Sequence, residues 1–282
     1  MLIKAKLIFL TALAVTALAW TGCGSGNNNI ILATTTSVQD TGFLDKVIPL
    51  FESAQGYNVK VIAVGSGQAL AMGRRGEADL LLVHSPDDEE KFVKEGCGIS
   101  RRPLMFNFFV ILGPADDPAG VSKAGFPTNA FRFIYEKRAP FVSRGDNSGT
   151  HQREKKLWQV TGIFAPGQSP DYPGYIQTGQ GMSETITIAD QKKAYTLSDY
   201  GTYLARKDKI SLKPVFNEPS QPTDSSLINI YSVIELNPER FAKINATGAK
   251  ALAGFLASKE VAEIIRNYGR NKYGEPMFSI IK

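Results

Sequence analysis

Apolar residues recur along this chain with two periods, and the period switches repeatedly. Residues 58–64, NVKVIAV, begin by alternating polar and apolar positions and end apolar, which predicts a strand. Residues 41–56, TGFLDKVIPLFESAQG, place Phe43, Val47, Leu50 and Phe51 at helical spacing on one side. Residues 30–33 and 79–83 are short apolar runs of the kind buried on both sheet faces. Helices are expected over 69–78, ALAMGRRGEA, and over 85–96, SPDDEEKFVKEG, whose first turn is acidic. Two longer strands are predicted at 104–112, LMFNFFVIL, and 228–236, INIYSVIEL. Between them come a helical stretch over 131–137, short strands at 141–143, 175–178 and 195–198, and a helix carrying DYGTYLAR. The chain closes with 249–269, AKALAGFLASKEVAEIIRNYG, read as one amphipathic helix.

Strands alternating with helices predict an α/β protein with mostly parallel sheets flanked by helices. The 282 residues suffice for two packed lobes. The two long strands are expected to cross between them. Lobe I is then 27–105 plus 225–282, and lobe II is 106–224.

The first 23 residues break this pattern. Lys4 and Lys6 precede an apolar run from Leu7 to Trp20, then Thr21-Gly22-Cys23. That order is expected of a secretory signal, and the run is short for a bilayer span of about 20 residues. Gly22-Cys23 before the polar GSGNNN resembles a bacterial lipoprotein cleavage site, with Cys23 as the lipidated residue, although Trp20 stands where a leucine is usual. Plain secretory cleavage is the alternative. Either way the mature protein is expected outside the cytoplasm, periplasmic or held to a membrane face through a lipid on Cys23, as a monomer.

Composition and charge exclude more than they assign. Loss of Lys4 and Lys6 lowers the net charge from +5 to +3, and no basic cluster with interleaved aromatics points to nucleic acid. Cys97 is the one cysteine beyond Cys23, so there is no internal disulfide framework. The sequence lacks GxxxxGK[ST] and GxSxG. His84 and His151 lack metal-ligand spacing.

Three predicted strand-to-helix junctions share a chemistry. TTTS (34–37), GSGQ (65–68) and SRGDNSGT (143–150) are rich in glycine and hydroxyls, and each precedes a helix. A helix start offers unpaired N–H groups and partial positive charge, so hydroxyls added there form an anion cradle. The same residues also serve as ordinary helix caps. Arg144 can add a planar fork for oxyanion oxygens, or pair with Asp146, or do both. A serine hydrolase built on Ser148 and His151 is an alternative, but the i,i+3 spacing suits nucleophile and base poorly.

These motifs, with VGSGQALAMGRRGEADLLLVHSPDDEEKFVKEG, SRGDNSGTHQREKKLW and YTLSDYGTYLA, resemble the tungstate-binding substrate-binding proteins (TupA type) of bacterial ABC importers. The resemblance covers nearly all of the mature chain in order. It implies a two-lobed type II periplasmic binding protein fold that closes over a tetrahedral oxyanion and delivers it to an ABC permease, without cofactor or catalysis. It implies Thr36 and Ser37 as ligands from the first loop, with Thr35 beside them. The second loop offers Ser66, Gly67 and the Gln68 amide. The third offers Arg144, Ser148, Gly149 and Thr150. Gly181-Met182 or Tyr195-Thr196 would close the site. A phosphate site benefits from a carboxylate that accepts the proton of hydrogen phosphate, whereas tungstate and molybdate carry none. Asp146 is the one acid in the core motifs, so its orientation matters. Tungstate, molybdate and sulfate are favoured over phosphate, and the resemblance alone ranks tungstate first.

Overall fold

A computed structural model describes residues 28–165, 167–168, 170–217 and 224–281. The predicted leader, 1–23 with Cys23, lies outside the described residues. In chain order the elements are β1 (Asn29–Thr35), α1 (Thr36–Asp40), α2 (Phe43–Gln55), β2 (Asn58–Val64), α3 (Ser66–Arg74), β3 (Leu80–Val83), α4 (Pro86–Lys94) and β4 (Gly98–Gly113). There follow α5 (Pro127–Glu136), β5 (Phe141–Ser143), α6 (Gly149–Val160), β6 (Tyr175–Gln177), α7 (Met182–Gln191), β7 (Thr196–Asp199), α8 (Tyr200–Arg206) and β8 (Lys213–Phe216). The last are β9 (Ile228–Leu236), α9 (Ala246–Leu256), α10 (Lys259–Asn267), α11 (Arg270–Tyr273) and β10 (Ser279–Ile280).

β2, β1 and β3 lie parallel in that order, with Asn29 beside Asn58 and Leu32 beside Leu80. β9 then pairs antiparallel with β3, and β4 with β9. The uninterrupted apolar run of β3 explains its central place. Leu80 and Leu82 face a core shared with α2 and α9, while Leu81 and Val83 face a second core with Leu70 and Phe92.

β4 ties the fold together. From Gly98 to Phe108 it pairs with β9, and from Phe109 to Gly113 it pairs antiparallel with β7 and β8. It runs well before the predicted 104–112, because Ser100, Arg101 and Arg102 stay in the ladder and a register shift accommodates Pro103. Beyond it, β5 and β6 pair in parallel, and Phe141 bridges to Tyr195. A third core sits here, where the Phe131 and Trp158 rings meet edge to face with centroids 4.6 Å apart.

The closing helix is two helices. The chain breaks at Ala257-Ser258, where the Ser258 side chain accepts a hydrogen bond from the Val261 N–H and starts α10. Leu252, Leu256, Val261 and Ile265 are buried on both sides of the break, so the apolar face reads through it. Ser258→Ala should destabilise the fold by about 1 kcal/mol through loss of this cap. Thermal unfolding should show the lower Tm, with anion binding unchanged.

Candidate functional site

Each glycine- and hydroxyl-rich junction does form where a strand hands over to a helix. At the end of β1, the Thr35 side chain caps α1 by accepting from the Val38 N–H at 3.3 Å. At the end of β2, Gly65 precedes Ser66, the first residue of α3, which is fully buried. At the end of β5, the chain turns through Gly145 and Asn147, both at positive φ, and Ser148 caps α6 by accepting from the His151 N–H. Within that turn the Arg144 guanidinium donates to Asp146 Oδ2 at 2.5 Å, and the Ser148 N–H donates to Asp146 Oδ1 at 3.1 Å. Asp146 is therefore turned to its own loop with both oxygens engaged.

The junctions meet. Arg144, only 2% exposed, reaches Thr36 Oγ1 at 3.4 Å. A Cβ on Gly65 would lie 3.7 Å from Ser148 Cα, and one on Gly67 would lie 3.3 Å from the Asn147 carbonyl oxygen. One on Gly181 would lie 3.8 Å from Thr36 Oγ1. Gly149 comes so close to His84 that a Cβ would sit 2.6 Å from its carbonyl oxygen, so no side chain fits there.

Among the described residues, seven buried side-chain polar atoms have no hydrogen-bond partner: Ser66 Oγ, Arg144 Nε, Thr150 Oγ1, Thr196 Oγ1, Trp158 Nε1, Arg206 Nε and Ser232 Oγ. Each such group costs about 1–3 kcal/mol if it stays unsatisfied. Native proteins leave few. Three of these seven, Ser66 Oγ, Arg144 Nε and Thr150 Oγ1, belong to the converging junctions. Buried donors and one guanidinium gathered at these junctions suit an anion.

Other sequence candidates point elsewhere. The Met182 side chain packs in the large core of α2 and α9, although Gly181, before it, does cap α7 at the cluster. Tyr195 turns its ring into the Phe131–Trp158 core and donates its hydroxyl to Asp117 Oδ1 at 2.8 Å. Gln68 is exposed, which leaves only its backbone N–H in the first turn of α3. Ser37 Oγ lies 3.1 Å from Thr35 Oγ1 and 3.2 Å from His84 Nε2. The hydrolase arrangement is absent, because His151 Nδ1 accepts from the Asn147 backbone N–H at 2.9 Å and so does not serve Ser148.

Sequence patterns gave no sign of the buried polar groups behind the cluster. His84, at the end of β3, pairs through Nδ1 with Asn229 Oδ1 at 2.9 Å, and Asn229 Nδ2 donates to Asn107 Oδ1 at 2.9 Å. Asn107 and Asn229 are register partners on β4 and β9. Under α6, Glu154 is buried and accepts from the Tyr175 hydroxyl at 2.7 Å, and burial pushes its carboxyl up to about 7.

Burial pushes both histidines down to about 4. The hydrogen bond to Asn229 opposes the shift at His84, and Lys155 reinforces it at His151. Unfolded, they take up protons near 6.5. Between those values the unfolded chain binds more protons, so each histidine removes stability as pH falls through the window. Glu154 acts in the opposite sense between its ordinary 4.5 and about 7, and so do Asp40, Glu89 and Asp199, whose carboxyls burial also pushes up. Replacing His151 isolates its share: as pH is lowered from about 6.5 toward 4, the Tm of the unmodified protein should fall relative to that of His151→Gln, as calorimetric scans at stepped pH would show.

The family model for a PBP superfamily domain matches residues 23–260. The chain is 42% identical to the tungstate-binding protein TupA of Peptoclostridium acidaminophilum, with 98% of each chain covered. It is 39% identical to the TupA of Campylobacter jejuni over 86% of this chain and 88% of that one. Among solved structures it resembles the tungstate ABC transporter protein of Geobacter sulfurreducens, at 40% identity and TM-score 0.74 over 85% of this chain and 98% of that one. It also resembles TupA of Desulfovibrio alaskensis, at 40% identity and TM-score 0.71 over 90% and 98%. A phosphate transport receptor of Vibrio cholerae, at 18% identity and TM-score 0.56 over 85% and 98%, shares the fold alone. The chain belongs to the PBP superfamily.

Proposed function

We propose that this protein is an extracytoplasmic solute-binding protein that captures a tetrahedral oxyanion, tungstate in first place, and delivers it to an ABC permease. The observation that carries the reading is the set of buried, unpaired donors Ser66 Oγ, Thr150 Oγ1 and Arg144 Nε at the meeting point of separate strand-to-helix junctions. Thr36 Oγ1 stands beside the guanidinium, and Gly67, Gly149 and Gly181 supply first-turn backbone near it. Thr196 Oγ1, also buried and unpaired, is a further donor on β7.

The anion's protonation state follows from Asp146. Its oxygens accept from Arg144 and from the Ser148 N–H, so the loop offers no free carboxylate to a protonated anion. The pocket then favours a fully deprotonated dianion over hydrogen phosphate. Tungstate and molybdate meet that condition alike, and the 42% identical TupA supports tungstate first.

Capture proceeds by closure of two lobes, 27–105 plus 225–282 against 106–224, about the long strands β4 and β9. Contacts between them include Arg144 to Thr36, Ser183 Oγ donating to Asp40 Oδ2 at 2.9 Å, and Lys156 to Asp87 at 3.2 Å. Closure removes water and strengthens each charge-assisted bond. Nothing is done to the ligand chemically, and the predicted lipid on Cys23 would keep the protein beside its permease.

Arg144→Ala should weaken tungstate binding at least tenfold, since a hydrogen bond to a charged group is worth roughly 1.5–3 kcal/mol. Calorimetric titration with tungstate, molybdate, sulfate and phosphate checks this, and unchanged affinity would remove Arg144 from the site. Gly149→Ala should also weaken binding, because its Cβ would collide with the His84 carbonyl and hold the lobes apart.

A further inference from the structure

Ser37 stands in the first junction, but a chain of buried hydrogen bonds directs its hydroxyl proton inward. The chain starts at the cap of α8. Asp199 Oδ1 accepts from the Thr202 N–H at 2.9 Å, and its Oδ2 lies 2.7 Å from Thr202 Oγ1. The backbone N–H can only donate, so Asp199 Oδ1 accepts it, and an ionised carboxylate has no proton to offer its other neighbour. The Asn107 atom facing it at 3.4 Å is therefore the amide nitrogen. Asn107 consequently turns its oxygen to Asn229, which presents its own nitrogen to Asn107 at 2.9 Å and to the Tyr231 hydroxyl at 2.8 Å.

Asn229 then has only its oxygen left for His84 Nδ1, at 2.9 Å, so Nδ1 carries a proton. A neutral imidazole has one N–H, which leaves Nε2 as an acceptor. Nε2 lies 3.2 Å from Ser37 Oγ, and the Ser37 hydroxyl fills it. The Thr35 hydroxyl, 3.1 Å away, can in turn donate to Ser37 Oγ. His84 is 2% exposed and Ser37, Asp199 and Tyr231 are fully buried, so water does not break the sequence. Burial of His84 also keeps the ring neutral at neutral pH.

We infer that Asp199, Asn107, Asn229 and His84 form a one-directional relay that holds the Ser37 proton away from the anion, which makes Ser37 a positioning residue and not a ligand donor. The relay runs from lobe II, through both crossing strands, to lobe I. It fixes the first turn of α1, and with it the Thr36 hydroxyl beside Arg144. The inference rests on the oxyanion reading of the site for its functional part. Its structural part, the His84 tautomer, stands without any ligand.

The test uses the mature protein labelled with ¹⁵N at histidine. At neutral pH the spectrum should show His84 protonated at Nδ1 and bare at Nε2. Asn229→Leu, which removes the acceptor for Nδ1, should move the population toward the Nε2–H form. In titrations with sodium tungstate, Ser37→Ala should weaken binding less than threefold and Ser66→Ala at least tenfold, the difference between a lost neutral support and a lost donor to charge. An Nε2–H or imidazolium form of His84 in the unmodified protein would overturn the relay, as would a Ser37→Ala loss as large as that of Ser66→Ala. Should Ser66→Ala, Arg144→Ala and Ser37→Ala all leave tungstate binding intact while His84 shows the expected tautomer, the relay holds and the oxyanion site fails.

Discussion

A guanidinium at 2% exposure, with a single carboxylate partner, is the constraint around which this molecule is arranged. Burying a charge is costly unless its donors are met. Asp146 meets part of the demand from Arg144, and Thr36 stands at the edge of hydrogen-bonding range. Nε remains, as do the unpaired hydroxyls of Ser66 and Thr150 in the converging junctions. A guest with several oxygens and two negative charges would satisfy all of these groups together, which a single water molecule cannot do. In the proposed site an acid can sit in the loop without repelling that guest, since Asp146 is held by its own arginine and its own helix start.

Most strands, most helices and three of the junctions were legible in the sequence because their signals are local, whereas the short strands β8 and β10 drew no prediction. TTTS, GSGQ and SRGDNSGT each announce a helix start within a few residues, and β3 announces double-sided burial through its unbroken apolar run. The failures were matters of direction. Met182 and Tyr195 lie next to site-forming turns, yet their side chains point into cores whose walls come from distant segments. The α9–α10 break escaped notice because the apolar face continues across it and only the Ser258 cap betrays it. His84 and Asn229 are 145 positions apart, so nothing in either neighbourhood reveals their pairing. The antiparallel pairing of β3 with β9 creates it, and the register of β4 against β9 sets Asn107 beside Asn229.

That register also gives the buried polar groups their character. Asparagines set side by side on two crossing strands are poor choices for a core judged by transfer energy alone. Placed between a helix cap and a histidine, each finds its partners and each amide has one workable orientation. Fully satisfied networks of this kind specify geometry more sharply than apolar packing does. Here the geometry specified is the angle between the parts that carry Thr36 and Arg144.

β4 gives its first eleven residues to one sheet and its last five to another. No cut in the chain can separate these sheets without leaving a raw edge on one of them. Neither half is a self-sufficient folding unit on that account. Heat or denaturant that frays one half strips the other of a strand, so the two melt as one body.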